Sequence, residues 1–451
     1  MTSGAGLRVG AAVVDVTPAL GIEMAGYGAR QGVSTGIHDP IQVRTVVLDD
    51  GATQLVLAVC DLVGVGPDLV TRARELVEQE CGIPPANVMV AATHTHSGPA
   101  GLRVQDGVDA RDNIGVTARK ICGSVQLARS RLERADLKLA TVEVSTISQN
   151  RRHPDGPIET TAKVLLAAPP GGGPVVATLV SYACHATVLE YDNMEYSADF
   201  PGAMARSVER SLGGVAVYLQ GAAGNINPVW MRHDFDEVDR IGGILGAAAA
   251  RAAHELRPLG EGQWCVNLNW SEETPKEPAP GTVLHGVSLG ATQSFVDLPR
   301  RAFADQEAIG RELEEVRSEL AGLGEGDIGR RHRLTARRNQ LSMEWVISSR
   351  LAAKAPRPSH RAEVQALRLS DECAIVTLPG EFFVETGREI ERAVGLPHLL
   401  VAGYANDYIS YVPTAEAFPE AGYEVGCAQF EPEAAGLFTE AAVKAVQSLY
   451  G

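Results

Sequence analysis

A chain of 451 residues, 45% of them hydrophobic, carries enough apolar material for one large elaborated domain. Its 40 Lys and Arg face 56 Asp and Glu, a net charge of -16 without Lys/Arg blocks, which excludes nucleic acid and anionic membrane surfaces as expected partners. Seven scattered cysteines, no apolar run of spanning length and a start without a basic segment followed by an apolar one lead us to expect reduced thiols, a cytoplasmic location and no stable membrane association.

Residues rich in β-branched side chains predict strands over 7–16, 41–48 and 54–65, with Asp61 at the end of the third. Pro67 suits the first turn of a helix whose Leu69, Val70, Ala73, Leu76 and Val77 make one apolar stripe. A buried strand begins at Val88 and is broken by Gly98 and Pro99. Strand, helix, strand at this spacing is a crossover unit, so part of the sheet is expected to be parallel. Asp61, His94 and His96 then lie at the carboxyl ends of strands, where ligands gather. Alternate side chains on a strand share a face, so the two imidazoles are expected to enter one cavity, able to share a metal or to act as acid and base.

A helix near 113–133, a strand near 137–145 and a polar turn at 149–153 come next. A strand over 175–183 ends in Cys184-His185, whose adjacent side chains point to opposite faces, leaving His185 alone as ligand or base. A helix over 203–212, a strand over 215–219, a helix over 238–255 and a strand near 263–269 follow. Residues 304–351 differ in character. Ile309, Leu313, Val316 and Leu320 recur at helical spacing among glutamates, and Leu334, Leu341 and Trp345 do so among arginines. That predicts an antiparallel helical hairpin with complementary charge, an insertion over 302–353 within a single domain of 1–451, suited to a lid or to contact between copies of a homo-oligomer. Strands over 364–369 and 374–378 and a helix over 434–450 complete the chain, and no internal repeat is evident by eye. The fold class read from this order is α/β, a mixed sheet core with flanking helices plus the inserted hairpin.

Glu381 follows a Pro-Gly turn and precedes two phenylalanines, a setting in which a carboxylate needs a partner such as a metal or a helix N-terminus. Tyr404, Tyr408 and Tyr411 have the spacing of an aromatic stripe on a helix. Arg151 and Arg152 are either surface charge or an anchor for an oxyanion. His38 fits a turn, and Gly221, Gly224 and Asn225 fit a tight turn better than a phosphate loop, because no Lys-Ser/Thr follows.

Together these motifs have an order. Gly36-Ile37-His38, Thr93-His94-Thr95-His96-Ser97-Gly98-Pro99, Asn150-Arg151, the His185 strand end, Gly224-Asn225, Glu381-Phe382 and the Gly403 to Val412 stretch resemble the neutral (non-lysosomal) ceramidase family, from about residue 7 onward, with the hairpin poorly matched. The resemblance implies a catalytic-domain-only, bacterial-type member and one zinc ion held by His94, His185, Glu381 and Tyr411. It further implies His96 as general acid/base, Arg151 as an anchor of the substrate's polar head, and an N-acyl amide as substrate. His38, Asp61, Asn225 and Tyr404 are then expected around the ligands or the substrate. Asn227-Pro228 stands where the family usually has Ser-Pro, so no role of that serine is carried over. An apolar surface for extracting lipid is not evident, so a soluble or short-chain amide is expected rather than ceramide itself. The rival readings are ceramide itself, a lactone or ester hydrolase on the same zinc site, an amidohydrolase barrel and a metal-containing binding protein. The barrel wants His-x-His on its first strand, whereas several strands precede His94.

Overall fold

The computed structural model describes residues 6–100, 110–256, 281–324, 327–352 and 357–451. Three main sheets share one apolar core. The first runs β5 (Val88–Ala92), β4 (Gln54–Cys60), β3 (Gln42–Asp49), β1 (Arg8–Asp15) and β6 (Glu133–Arg134). The second runs β12 (Val215–Gln220), β10 (Ala177–Tyr182), β9 (Thr161–Ala168), β7 (Asp136–Glu143) and β14 (Thr282–Val283). The third runs β15 (Gly290–Pro299), β16 (Ser359–Arg368), β17 (Cys373–Thr377) and β19 (His398–Ala402).

Leu57 and Val59 of the first sheet, Leu165 and Leu179 of the second, and Leu367 and Ile375 of the third belong to one buried cluster. The opposite faces are covered by helices: α1 (Pro67–Cys81) and α2 (Ala110–Ser130) on the first, α3 (Asp199–Leu212) and α4 (Phe235–Leu256) on the second, α7 (Val384–Val394) and α9 (Ala434–Gln447) on the third. Burial on both faces explains why these strands read as continuous apolar runs.

Each sheet contains a parallel pair joined by a helix: β4 and β5 through α1, β10 and β12 through α3, β17 and β19 through α7. The repetition is architectural and leaves no repeat visible in the sequence. Three carboxyl ends therefore converge, and the loops leaving them carry His94, His185, Glu381 and the 403–411 stretch. Three short pairs tie these loops together: β2 (Gly36–Ile37) with β11 (Glu195–Tyr196), β8 (Ser148–Asn150) with β13 (Ile226–Pro228), and β18 (Glu381–Phe382) with β20 (Tyr411–Val412).

The mixed α/β architecture and the crossover after Asp61 match expectation, and the apolar stripe of α1 is buried. Several details do not match. The third strand stops at Cys60, and Glu133, expected to end a helix, opens the short strand β6. Several strands went unread, the short pairing strands among them, and three long ones in the main sheets show why. β9 is an Ala/Leu run without alternation, β15 is largely half-exposed with Thr, Gln and Ser in it, and β19 is five residues long. The strand expected near 263–269 lies outside the described residues.

The tyrosine stretch is not a helix. Tyr404, Asn406 and Ser410 hold left-handed backbone at φ 55°, 65° and 71°, which breaks any helical stripe and forms a loop. Residues 306–352 do form two helices, α5 (Gln306–Ala321), N-capped by Asp305, and α6 (Ile328–Ala352). Ile309, Leu313 and Val316 pack on Leu341 between them, with Glu319–Arg330 and Glu312–Arg337 pairs outside. Trp345 is exposed instead. Among the described residues no helix is long and apolar enough to cross a membrane.

Candidate metal centre

His94 and His96 converge by a route other than the one expected. The strand ends at Ala92, and the next residues leave it: the Thr93 amide donates to Cys60 O and the His94 amide to Leu62 O, while His94 takes φ 66°. The turn brings the two imidazoles edge to face, with their Nε2 atoms 3.2 Å apart. His185 leaves β10 in the same way, its amide donating to Ile226 O, and its Nε2 lies 3.1 Å from Glu381 Oε2. That same oxygen is 3.5 Å from His94 Nε2. The three histidines offer ring nitrogens all within 4.8 Å of one another, and all of them are buried.

The parallel pairing of β18 with β20 sets Glu381 beside Tyr411, whose hydroxyl is 3.5 Å from His185 Nε2. Tyr408 reaches the other carboxylate oxygen and donates to Glu381 Oε1. Reading the three tyrosines as one core stripe concealed Tyr408. Its place three residues before Tyr411, in a loop that already supplies a candidate ligand, is the signal that could have found it.

The tautomers differ among the histidines. His94 Nδ1 donates to Val63 O at 2.6 Å, and His185 Nδ1 to Ala223 O at 2.7 Å. A carbonyl only accepts, so both rings carry their proton on Nδ1 and turn an Nε2 lone pair towards Glu381. Lone pairs aimed at a buried carboxylate are repulsive unless a cation lies among them, and two imidazoles, a carboxylate and a nearby phenol are donors that a divalent ion such as zinc accepts. The residues present therefore fit a metal. His96 is different, because its Nδ1 is buried without a hydrogen-bond partner among the described residues. Among the described residues no backbone carbonyl locks its ring as Val63 and Ala223 lock the other two, and its Nε2 faces only the His94 Nε2 lone pair.

Burial and the neighbouring histidines hold His96 well below the usual imidazole range, and burial together with the Arg151 charge lowers His185 to about 4. Burial alone would raise the Glu381 carboxyl, but the neighbouring His94 and His185 outweigh it and hold the group well below the usual range. Burial drives the Tyr411 phenol up.

Arg151 stands at the rim. Its amide donates to Asn225 O, its Nε to Glu424 Oε1 at 2.7 Å and its Nη1 to Asn227 Oδ1 at 3.4 Å. Its guanidinium lies 5.3 Å from the Tyr411 ring, and its Nη2 is buried without a partner among the described residues. Asn225 bridges this side to α7, donating to Glu385 and accepting from the Val384 amide. Tyr404 stacks on His94.

Asp61 and His38 are not brought to the ligands. The Asp61 carboxylate accepts the Gln42 amide, and backbone carbonyls do the orienting that Asp61 was expected to do. His38 stacks on Phe235 with ring centroids 3.6 Å apart.

With this geometry in place, similarity to known proteins becomes informative. Residues 7–269 match the family described as neutral/alkaline non-lysosomal ceramidase, N-terminal. The chain is 26% identical to the neutral ceramidase of Pseudomonas aeruginosa, covering 94% of this chain and 69% of that protein. It is 25% identical to the neutral ceramidase of Mycobacterium tuberculosis, covering 94% of this chain and 74% of that protein. The crystal structure of the P. aeruginosa neutral ceramidase superposes with a TM-score of 0.76 at 22% identity, over 99% of this chain and 75% of the other, and shares the fold. A ceramidase complexed with C2 does so with a TM-score of 0.73 at 21% identity, over the same shares of the two chains.

Proposed function

Because the chain belongs to the neutral/alkaline non-lysosomal ceramidase family, we propose that it is a metal-dependent hydrolase of an N-acyl amide bond, a carbon–nitrogen bond other than a peptide bond. The observation that carries this reading is the division among the histidines: His94 and His185 are locked by backbone carbonyls with Nε2 turned inward, while His96 beside them is unlocked. His94, His185 and Glu381, with Tyr411, would hold a zinc ion, and Tyr408 would keep the Glu381 carboxylate in its rotamer. Such an ion supplies Lewis acidity, polarising an amide carbonyl and lowering the pKa of water.

The chain's own residues do the rest. The unpartnered Nη2 of Arg151 is a charged donor for the carbonyl oxygen as it gains negative charge. His96 can take a proton at one ring nitrogen and deliver it to the departing amine nitrogen. Burial of the cluster keeps bulk water from competing for these contacts. The relatives named neutral ceramidase favour a ceramide-like amide over the short soluble amide expected from the sequence.

The experiment is metal analysis of the purified chain joined to hydrolysis of short- and long-acyl ceramides, lactones and esters. Stoichiometric zinc with chelator-sensitive amide cleavage is the expected result. A chain that binds no metal, or one that cleaves esters or lactones and no amide, contradicts it.

A further inference from the structure

The helical hairpin has no part in that chemistry, yet it is joined to it through one short element. α8 (Tyr423–Cys427) spans five residues, too few to persist as an isolated helix, so it depends on what it packs against. α6 lies across it. The two are close at Gly426, where a Cβ would sit 2.5 Å from Gln340 O and 2.8 Å from Met343 Cβ. Arg301 fastens the same junction: its Nη1 donates to Val425 O at 2.8 Å, and it pairs with Glu344, which also accepts from Gln340 Nε2 at 2.7 Å.

The other side of α8 faces the metal centre. Glu424 is only 4% exposed, and its carboxylate is shared by two guanidinium groups, accepting Arg151 Nε on Oε1 and Arg152 Nη1 on Oε2, each at 2.7 Å. Arg152 in turn holds Glu420 and the Ala421 carbonyl, both at 3.0 Å. A guanidinium is planar, so fixing Nε fixes the plane and with it the direction of the far edge. That edge carries the unpartnered Nη2.

We propose that Glu424 is a positioning residue for Arg151 and that α6, seated on Gly426, holds Glu424 in place. The hairpin is then a brace behind the wall that anchors the substrate carbonyl. The inference rests on the reading that Arg151 binds substrate. A buried carboxylate between two arginines is a structural commitment as well, so the test needs readouts that a stability effect alone does not move.

Three full-length chains, wild type, Gly426→Ala and Glu424→Gln, are compared by metal content, by hydrogen exchange of peptides covering 88–96, 148–153 and 420–428, and by kcat and KM on a short-chain ceramide. Gly426→Ala is expected to raise exchange over 420–428 and 148–153, leave 88–96 and the metal content unchanged, and lower kcat/KM about tenfold or more. Glu424→Gln keeps an oxygen for Arg151 Nε but loses its charge, and is expected to keep metal while kcat/KM falls by a similar factor. Wild-type exchange at 148–153 in Gly426→Ala overturns the bracing role. Wild-type kcat/KM in Glu424→Gln overturns the positioning role, and it decides the matter alone if Gly426→Ala does not fold. A wild-type chain that cleaves no amide sinks the functional reading, while the exchange comparison still decides whether α6 braces the arginine.

Discussion

The rings of His94 and Tyr404 lie face to face, 4.0 Å between centroids and 27° between planes, and both residues hold left-handed backbone, at φ 66° and 55°. Tyr404 is fully buried, and its hydroxyl has no partner among the described residues, so the ring is the part that matters. Tyr404→Phe should leave stability and metal affinity near wild type. Tyr404→Ala should cost about 3–5 kcal/mol and free the His94 imidazole to turn. Denaturant titration together with calorimetric metal binding separates the two effects, and equal behaviour of the two variants would refute the platform role.

Removing the metal should destabilise as well as inactivate. A cation would relieve the lone pairs converging on Glu381, and a ligand that binds the native state alone raises the melting temperature with its concentration. Exhaustive dialysis against a chelator should lower Tm, and readdition of zinc should restore it. A Tm that ignores the metal would mean the cluster is satisfied without one.

His96→Ala and His94→Ala should part company. The first should abolish turnover with metal content near one per chain, and the second should lose the metal itself. Elemental analysis of both proteins checks this, and metal-free His96→Ala would make His96 a ligand.

Tyr408 is seated against Gly64, where a Cβ would come within 2.5 Å of the Tyr408 ring. Gly64→Ala therefore pushes the ring, and Tyr408→Phe removes the donor to Glu381. Leaving that buried carboxylate oxygen short of a donor costs about 1–3 kcal/mol. Both variants should bind metal more weakly, measured by competition with a chromophoric chelator, and unchanged affinity in both would exclude Tyr408 from the site.

Asp61 adds a pH dependence to stability. Burial pushes its carboxyl up to about 7, against an ordinary value of 3.8. A folded pKa above the unfolded one means the native state binds the extra proton. The contribution to stability is therefore present below about pH 4 and lost as pH rises towards 7. Asp61→Asn should flatten this part of the profile, as read by Tm between pH 5 and 8. A variant with the wild-type slope would assign it elsewhere, with Asp199, also raised to about 7 by burial, the next group to replace.

Much of the architecture was legible because strands buried on both faces leave long apolar runs, and because the crossover after Asp61 has a characteristic spacing. The convergence of His94 and His96 was legible too, though for an incomplete reason: strand alternation does not apply past Ala92, and the left-handed turn at His94 has no marker in a non-glycine residue. Tyr408 was obscured by a similar blind spot. Four-and-three spacing reads as a helix unless the φ of Tyr404, Asn406 and Ser410 is known. The orienting of His94 and His185 by Val63 and Ala223 carbonyls could not be read at all, since main-chain acceptors are independent of residue type.

The meeting of three crossover units has a kinetic consequence. His185 and Glu381 are 196 residues apart in the chain, and Tyr411 and His185 are 226 apart. Loops of that length close slowly, and contacts at such separation reward the chain only after each unit has its own core. The candidate metal centre is accordingly expected among the last features to form during folding, and a chain halted before β19 has docked would present histidines without their carboxylate. Acquisition of metal, followed in time after refolding is started, reads out the final docking step.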